Sequence, residues 1–443
     1  MAAAACREDV QERQLYYVMA ETGPQVVKDV LESKGWLPYV EGKSLYWNLW
    51  WKGSRYRKSD YEACQPWQRL NHFPKTLNLT RKDTLYRLLK TMRGIYGPIY
   101  DFVPLTFSLP NDYVRFVRVY AEEDEQGAKG LWICKPADLS RGRGIFLFRD
   151  LHELTYDCNV IVQRYISNPM LISGYKFDIR CYVVVRSYNP LVVYLNQEGI
   201  ARFATSVYTT TELSNVYAHL TNTSINKFSP SLSHEKDEVG SGCRWTLGKL
   251  RTWFEGMGVD FERIWRKIQG IILLTLLPVA VEVPLVPPGC FELYGFDIML
   301  DENLRPHLLE VNFGPALSLD TDVDVEIKKP LIEDIINLVE ISDEQARMAV
   351  NHALGISGRP ATRGSRSQLA ALDKKRFTSL PELTPSNSLM KQNTRSNRAQ
   401  RSVGRLRRIM PFNDTTAELA CHPLAVGKPA LKQIIQEIRR TLL

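Results

Sequence analysis

An α+β fold is predicted for this chain from three observations. Strand-like and helix-like stretches interleave along most of the sequence. Several successive strand-like runs are placed for antiparallel pairing. No repeat with a period of about 20–50 residues is present. The length of 443 residues suits two or three domains, and 44% hydrophobic residues supports a substantial core.

Taken in order, residues 1–14 read as polar and loose. Residues 15–100 read as a smaller N-terminal α/β domain. It holds the strand-like "LYYVMA", the helix-like "GPQVVKDVLESKG", the aromatic "SLYWNLWWKG" and the segment "LTRKDTLYRLLKTM". That last segment offers Thr80 as an N-cap and places Leu85, Leu88, Leu89 and Met92 at helical spacing. Residues 101–180 form a central domain, with "LWICKP" and "GIFLF" as strands around a Gly/Arg loop, followed by "NVIVQRYI" and the start of "KFDIRCYVVVRS". Residues 181–343 form a C-terminal domain of helices from "WTLGKLRTWFEGMG" to "IILLTLL", then a hairpin and the amphipathic "KKPLIEDIINLVE".

The hairpin "FELYGFDIMLDENLRPHLLEVN" carries carboxylates where buried strands are expected. "DENL" reads as a tight turn. If residues 301 and 304 face each other, 297 faces 308 and 295 faces 310. Asp297, Glu310 and Asn312 then share one face, while Phe296, Ile298, Leu300, Leu309 and Val311 share the other. A loop one residue longer would break this register. Two carboxylates and an amide from paired strands suit a hard cation such as magnesium. Salt bridges to nearby cations on a solvated face are the alternative.

Charge divides the chain. Residues 341–443 hold 18 Lys and Arg against 7 Asp and Glu, a net of +11, whereas the whole chain is +8. The preceding part is therefore slightly acidic. Residues 344–443 read as a basic, largely disordered tail drawn to an acidic surface, whether nucleic acid or a microtubule, or as a solvated linker. Eight scattered Cys without a CxxC predict reduced, mostly buried thiols in an intracellular protein. "MAAAACREDVQ" is too short and too soon charged for a signal peptide. The apolar run 271–286 reads as a buried helix leading into a strand, not a membrane span.

Three further segments bear on chemistry. In "KPADLSRGRGIFLF", Gly142 and Gly144 allow close backbone approach and Arg141 and Arg143 add charge, but no Walker A loop is present. The segment is a phosphate flap or an ordinary hairpin with exposed arginines. In "YKFDIRCYVVV", Lys176, Asp178, Arg180 and Tyr182 alternate with Phe177, Ile179, Cys181 and Val183. The polar face lines a cleft or faces water at a sheet edge. "HLTNTSINK" by itself is a turn-rich loop. Neither GxSxG nor HExxH occurs, so cations, acids and amides are the inventory, which suits phosphoryl transfer.

From about residue 45 to 340, "NHFPKTLNLTRKD", "VPLTFSLP", "KPADLSRGRGI", "VQRYISNPMLISGYKFDIR", "HLTNTSINK" and "FELYGFDIML…LLEVNFGPAL" occur in order. Together they resemble the tubulin–tyrosine-ligase-like enzymes, which have an ATP-grasp fold, and within them the glutamate-adding tubulin polyglutamylases. The resemblance implies ATP and Mg2+ as cofactors. It implies that Lys135 and Lys176 contact ATP and that Arg141, Gly142, Arg143 and Gly144 close over its phosphates. Gln163, Arg164, Tyr165 and Ile166 would run beside the adenine. Asp178 would reach the ribose, with Thr221 and Asn222 by the nucleotide. Asp297, Glu310 and Asn312 would hold magnesium. Arg180 and Arg202 would be the catalytic cations, Arg202 also meeting the incoming amino acid, and Lys82 would be a further phosphate contact.

The same resemblance implies an ATP-driven transfer of free L-glutamate onto glutamate side chains of tubulin tails through an acyl phosphate. It implies a monomer that acts on tubulin and microtubules, not on a membrane or nucleic acid, in the cytoplasm and cytoskeleton, with a cilium or basal body as a further location. The alternatives are a glycine or tyrosine ligase, a small-molecule carboxylate–amine ligase of the same fold, or a catalytically silent microtubule-binding protein. Three departures from the family pattern stand out. Gly314 replaces the Ser of "EVN-x-SP", Arg244 replaces the Lys that precedes "WTL" and helps bind glutamate, and His307 replaces a Trp.

Overall fold

The structure, a computed structural model, describes residues 14–230, 239, 243–284, 286, 289–354, 401–422 and 424–443. The loose N-terminus expected at 1–14 lies almost wholly outside these residues. So does most of the middle of the expected tail.

The N-terminal unit is a parallel sheet of four short strands, β1 (Tyr16–Met19), β2 (Leu37–Pro38), β3 (Leu49–Trp51) and β4 (Arg69–Leu70), in the order β2–β1–β3–β4. Helix α1 (Gln25–Ser33) buries Val26, Val27, Val30 and Leu31. The next long helix, α2 (Lys82–Tyr96), starts one residue later than its sequence suggests. Thr80 closes a separate turn of helix, Leu77–Thr80, and Arg81 occupies the N-cap. Leu85, Leu89 and Met92 are buried as their spacing predicts.

A second sheet follows, antiparallel throughout. Its strands are β5 (Thr106–Leu109), β6 (Trp132–Pro136), β7 (Phe146–Phe148) and β8 (Val160–Arg164), in the order β5–β8–β6–β7. Helix α3 (Tyr113–Glu125) places Phe116 against Phe107, Trp132 and Phe148 in this sheet's own core.

The third sheet dominates the molecule. It contains β9 (Leu171–Ile172), β10 (Tyr175–Tyr188), β11 (Leu191–Phe203), β12 (Arg244–Thr246), β13 (Glu292–Leu300), β14 (Pro306–Phe313), β15 (Ser402–Val403) and β16 (Leu406–Met410). Its main order is β14–β13–β10–β11–β16–β15, with β12 on β11 and β9 on β10. A domain boundary at residue 180 is therefore corrected: it would cut the continuous strand β10. Period-two alternation gives β10 two different faces. Phe177, Ile179, Cys181, Val183 and Val185 enter the largest core beneath α5 (Phe261–Glu282). Tyr182 and Val184 enter a second core with α6 (Asp322–Leu338). Lys176, Asp178 and Arg180 share the Tyr182 face but lie at its other end.

Helix α5 is long and apolar enough to cross a membrane, yet it is mostly buried inside the protein. Asp260 caps it by accepting from the Glu262 and Arg263 amides at 3.0 and 3.3 Å. The preceding helix, α4 (Leu247–Gly256), is capped by Thr246, whose hydroxyl accepts from the Lys249 amide at 3.1 Å.

The expectation of a largely disordered tail is corrected where residues are described. Helix α7 (Asp343–Ala353) is capped by Ser342. Farther on, β16 extends the third sheet, Val193 pairing with Met410 and Asn196 with Leu406. Helix α8 (Pro429–Thr441) buries Leu431, Ile434, Ile435 and Ile438, with Ile434 and Ile438 fully inside. That is an i, i+3, i+4, i+7 stripe, and the cations Lys432, Arg439 and Arg440 occupy exposed positions off the stripe. Net charge concealed an amphipathic helix.

The hairpin register also differs from expectation. Asp297 pairs with Glu310 and Gly295 with Asn312, and a bulge then shifts the ladder so that Ile298 meets Leu308. Consequently Leu308, not Leu309, is the core residue, and Leu309 turns to the cleft. The shared face of Asp297, Glu310 and Asn312 survives, because opposed residues point the same way.

Candidate active site

The second and third sheets flank an open cleft. Alternation on β6 puts Ile133 and Lys135 on its inner face, and Gln163 on β8 opposes Ile133. The Lys135 Nζ donates to Gln163 Oε1 at 2.8 Å, and Gln163 Nε2 donates to the Thr106 hydroxyl at 2.8 Å. This chain of bonds locks the lysine into the wall. Burial pushes the Lys135 pKa down to about 8, against the pull of Glu310.

Lys176 comes from β10 and is 3% exposed. Its Nζ donates to Tyr165 Oη at 2.9 Å and to the His219 carbonyl at 2.8 Å. Tyr165 Oη also meets His219 Nδ1 at 3.0 Å. Burial, and then the neighbouring Lys135 charge, lower the Lys176 pKa to about 7. Burial likewise lowers that of His219.

Charged residues cross the third sheet, with one step of two residues along β10 from Arg180 to Asp178. In strand order, Glu310 opposes Asp297, Asp297 opposes Arg180, Asp178 opposes Arg202, and Arg202 opposes Arg244. Arg180 holds both Asp297 oxygens, the Nη2–Oδ2 bond at 3.0 Å. Arg202 bridges Asp178, with Nε–Oδ1 at 2.7 Å, and Asp297 Oδ2 at 2.8 Å. The Asn312 amide donates to Asp297 Oδ2 at 3.2 Å and to the Gly295 carbonyl at 3.3 Å. Burial alone would raise the Asp297 pKa, but the two guanidinium groups outweigh it and hold the carboxyl well below the usual range. Glu310 has a looser partner, Lys82 Nζ at 3.8 Å.

The flap after β6 depends on backbone that favours glycine. Gly142 has φ +76°, and an added Cβ would lie 2.2 Å from Ile225 Cδ1. Three contacts hold the loop: the Arg81–Asp138 ion pair, Lys82 Nζ on the Leu139 carbonyl at 2.8 Å, and Ser224 Oγ on the Arg141 carbonyl at 2.9 Å. Gly314, the departure from "EVN-x-SP", has φ +56°, a conformation that glycine adopts without strain. His307 bonds Asp301 Oδ2 at 2.9 Å within the hairpin turn, a structural role.

Of the residues singled out from sequence, Lys82, Lys135, Arg141, Gly142, Gln163, Arg164, Tyr165, Ile166, Lys176, Asp178, Thr221, Asn222, Asp297 and Glu310 all line the cleft. The Arg164 guanidinium packs over Trp132 at 4.0 Å and pairs with Glu123, so it offers the cleft main chain. Arg143, Gly144, Arg180, Arg202, Arg244 and Asn312 are outside the lining. Arg180, Arg202 and Asn312 reach it through Asp297. Arg244 pairs with the fully buried Asp324 and donates to the Thr223 hydroxyl at 3.1 Å. Lys328 shares that carboxylate at 2.8 Å. Sequence reasoning missed the apolar lining, including Ile133, Met299 and Leu309, and also His219. Ile133 and Met299 sit two residues from Lys135 and Asp297, so alternation could have found them; the bulge hid Leu309.

Among the described residues no three His, Cys, Asp or Glu side chains converge as a metal cluster. The acidic end of the cleft is two opposed carboxylates and an amide, which fits magnesium bound partly by phosphates and water better than an all-protein cage. Such a cleft, cationic on one wall, acidic on the other and apolar between, defines a site for a polyanionic ligand with a flat apolar moiety.

The chain belongs to the Tubulin-tyrosine ligase family, whose pattern matches residues 59–347. It is similar, at 45% identity over 373 residues, to the probable tubulin polyglutamylase TTLL2 of Homo sapiens, covering 83% of this chain and 63% of the relative. The tubulin polyglutamylase TTLL5 of Mus musculus is 36% identical over 337 residues, 73% of this chain and 25% of the relative. The tubulin monoglutamylase TTLL4 of Mus musculus is 35% identical over 339 residues, 74% of this chain and 28% of the relative. The chain thus spans less than two thirds of the length of each.

Proposed function

We propose that this protein is an ATP- and magnesium-dependent ligase that adds free L-glutamate, through isopeptide bonds, to glutamate side chains in tubulin tails. The observation that carries the reading is the opposition of Asp297 and Glu310, with Asn312 on the same face, in one cleft with Lys135 and Lys176. The names of the similar proteins, tubulin polyglutamylases and a tubulin monoglutamylase, support the substrate and the amino acid. Two antiparallel sheets around a nucleotide cleft agree with an ATP-grasp core.

In this reading the phosphates lie by Lys82, Lys135 and Lys176, and the base lies between Ile133, Met299 and Leu309 beside the main chain of 163–166. The terminal phosphoryl group passes to a tail carboxylate. The amine of free glutamate then displaces phosphate from the acyl phosphate, and ADP and phosphate leave. Asp297, Glu310 and Asn312 would hold magnesium, which offsets charge on the transferred phosphoryl group. Arg180 and Arg202 fix Asp297 in place and present cations near the reacting carboxylates. Arg244, oriented by Asp324, is placed for the carboxylate of the incoming amino acid. The protein would act on the cytoskeleton as a monomer.

The test is incubation with ATP, magnesium, microtubules and each labelled amino acid in turn, followed by mass spectrometry of intact tubulin tails. Glutamate is expected to add, and addition of glycine or tyrosine alone would overturn the assignment. Glu310→Gln is expected to abolish turnover and spare microtubule binding. An unchanged rate would reject the site.

A further inference from the structure

The sequence "NHFP" lies outside the cleft lining and has no part in the reaction above. Its histidine is buried in a polar network. His72 is 3% exposed and Glu292, at the start of β13, is fully buried. His72 Nδ1 meets Glu292 Oε1 at 3.2 Å, and its Nε2 meets the Lys52 carbonyl at 2.7 Å. Glu292 also accepts from the Phe73 amide at 3.2 Å and from the Tyr294 hydroxyl at 2.6 Å. A buried carboxylate is tolerated only when donors surround it in this way. The imidazole is thereby fixed in plane and position.

The ring so fixed stacks on Phe313, with centroids 4.3 Å apart and planes 26° from parallel. A second residue of the N-terminal unit, Arg55, lays its guanidinium over the same ring at 4.2 Å, and its Nη2 donates to the Thr80 hydroxyl at 3.0 Å. Phe313 ends β14 and directly follows Asn312, whose amide already reaches Asp297. Beyond it the chain turns at Gly314 in a left-handed conformation. Within the sheet, Phe313 pairs with Tyr294.

We propose that His72 and Phe313 are positioning residues that set Asn312 against Asp297 and so tune the acidic end of the cleft for its divalent cation. The N-terminal unit is then part of the site's framework. The inference rests on the reading of Asn312 as a metal ligand. Outer groups that orient ligands typically change metal affinity by about 10–100-fold when altered.

The experiment uses the full chain, Mn2+ as the probe ion and a non-hydrolysable ATP analogue. Calorimetry measures analogue affinity with and without Mn2+, and paramagnetic resonance measures bound Mn2+. Phe313→Leu and His72→Leu are expected to weaken Mn2+ binding in the presence of analogue about tenfold. Affinity for the metal-free analogue should stay within about twofold, a split that a general loss of structure would not produce. Phe313→Tyr, which keeps the ring, should restore Mn2+ affinity. If His72→Leu fails to fold, the half-buried Phe313 still carries the test. Equal losses with and without metal, or Mn2+ affinity unchanged in Phe313→Leu, overturn the proposal. Asn312→Ala separates the two readings. If it leaves Mn2+ affinity intact, the ligand assignment itself fails; if it weakens Mn2+ binding while Phe313→Leu does not, only the positioning role fails.

Discussion

Lys176 is a cation held where a cation is costly, with Tyr165, the His219 carbonyl and Lys135 around it. Its pKa of about 7 lies far below the ordinary 10.5. A polyphosphate in the cleft would restore the charge. Nucleotide binding at pH 8 is therefore expected to take up about one proton. Calorimetry in buffers of different ionisation enthalpy measures this, and Lys176→Met should abolish most of the uptake. The same shift predicts a stability trend. Between pH about 7 and 10.5 the unfolded chain holds a proton that the ligand-free folded chain lacks, so stability rises with pH across that window. Thermal melts of Lys176→Met should show a flatter profile. Asp297 has the opposite character, a carboxylate kept ionised by Arg180 and Arg202. Asp297→Asn leaves the Arg180 guanidinium without its carboxylate, while Arg202 keeps Asp178, and is expected to cost about 3 kcal/mol in denaturant unfolding. The polar members of the site were legible because alternation places Lys176, Asp178 and Arg180 on one face. Their pairing was not legible, because it depends on which strands become neighbours.

At the scale of elements, legibility followed local pattern. The strands around the flap, the alternating face of β10 and the helices α4 and α5 declare themselves by period and caps. Three features did not. The bulge after Asp297 has no local signature and exchanged the roles of Leu308 and Leu309. The strand β16 and helix α8 were hidden by counting charges over a long window, where the stripe from Leu431 to Ile438 is diluted by the basic residues around it. Ile434→Ala is expected to lose about 3 kcal/mol, a typical figure for truncating a buried aliphatic side chain. Truncation after residue 400 should lower the melting temperature sharply, because it uncovers α5 and one edge of β11. Thermal unfolding of both variants checks this, and a truncated chain as stable as the whole would contradict the packing.

For the molecule as a whole, the division of charge survives the correction of the tail. The slightly acidic body carries a basic rim where β15 and β16 join the sheet. An open groove there is lined by Arg401, Arg405, Arg407 and Arg408, with no acidic residue among its lining. Arg401 and Arg407 are exposed. If this rim meets acidic tubulin tails, Arg401→Glu with Arg407→Glu should weaken microtubule co-sedimentation at low salt, and the difference from the parent should vanish as salt rises. Equal binding at every salt concentration would remove the rim from the interaction.

The pairing of Val193 with Met410 has a consequence for biosynthesis. During translation β11 leaves the ribosome long before its outer neighbour exists, and part of its hydrogen-bonding edge waits unoccupied while the intervening chain is made. The nascent protein should therefore engage holding chaperones until the last strand arrives. A premature stop codon anywhere ahead of Leu406 would yield an aggregation-prone product, not a shorter folded protein.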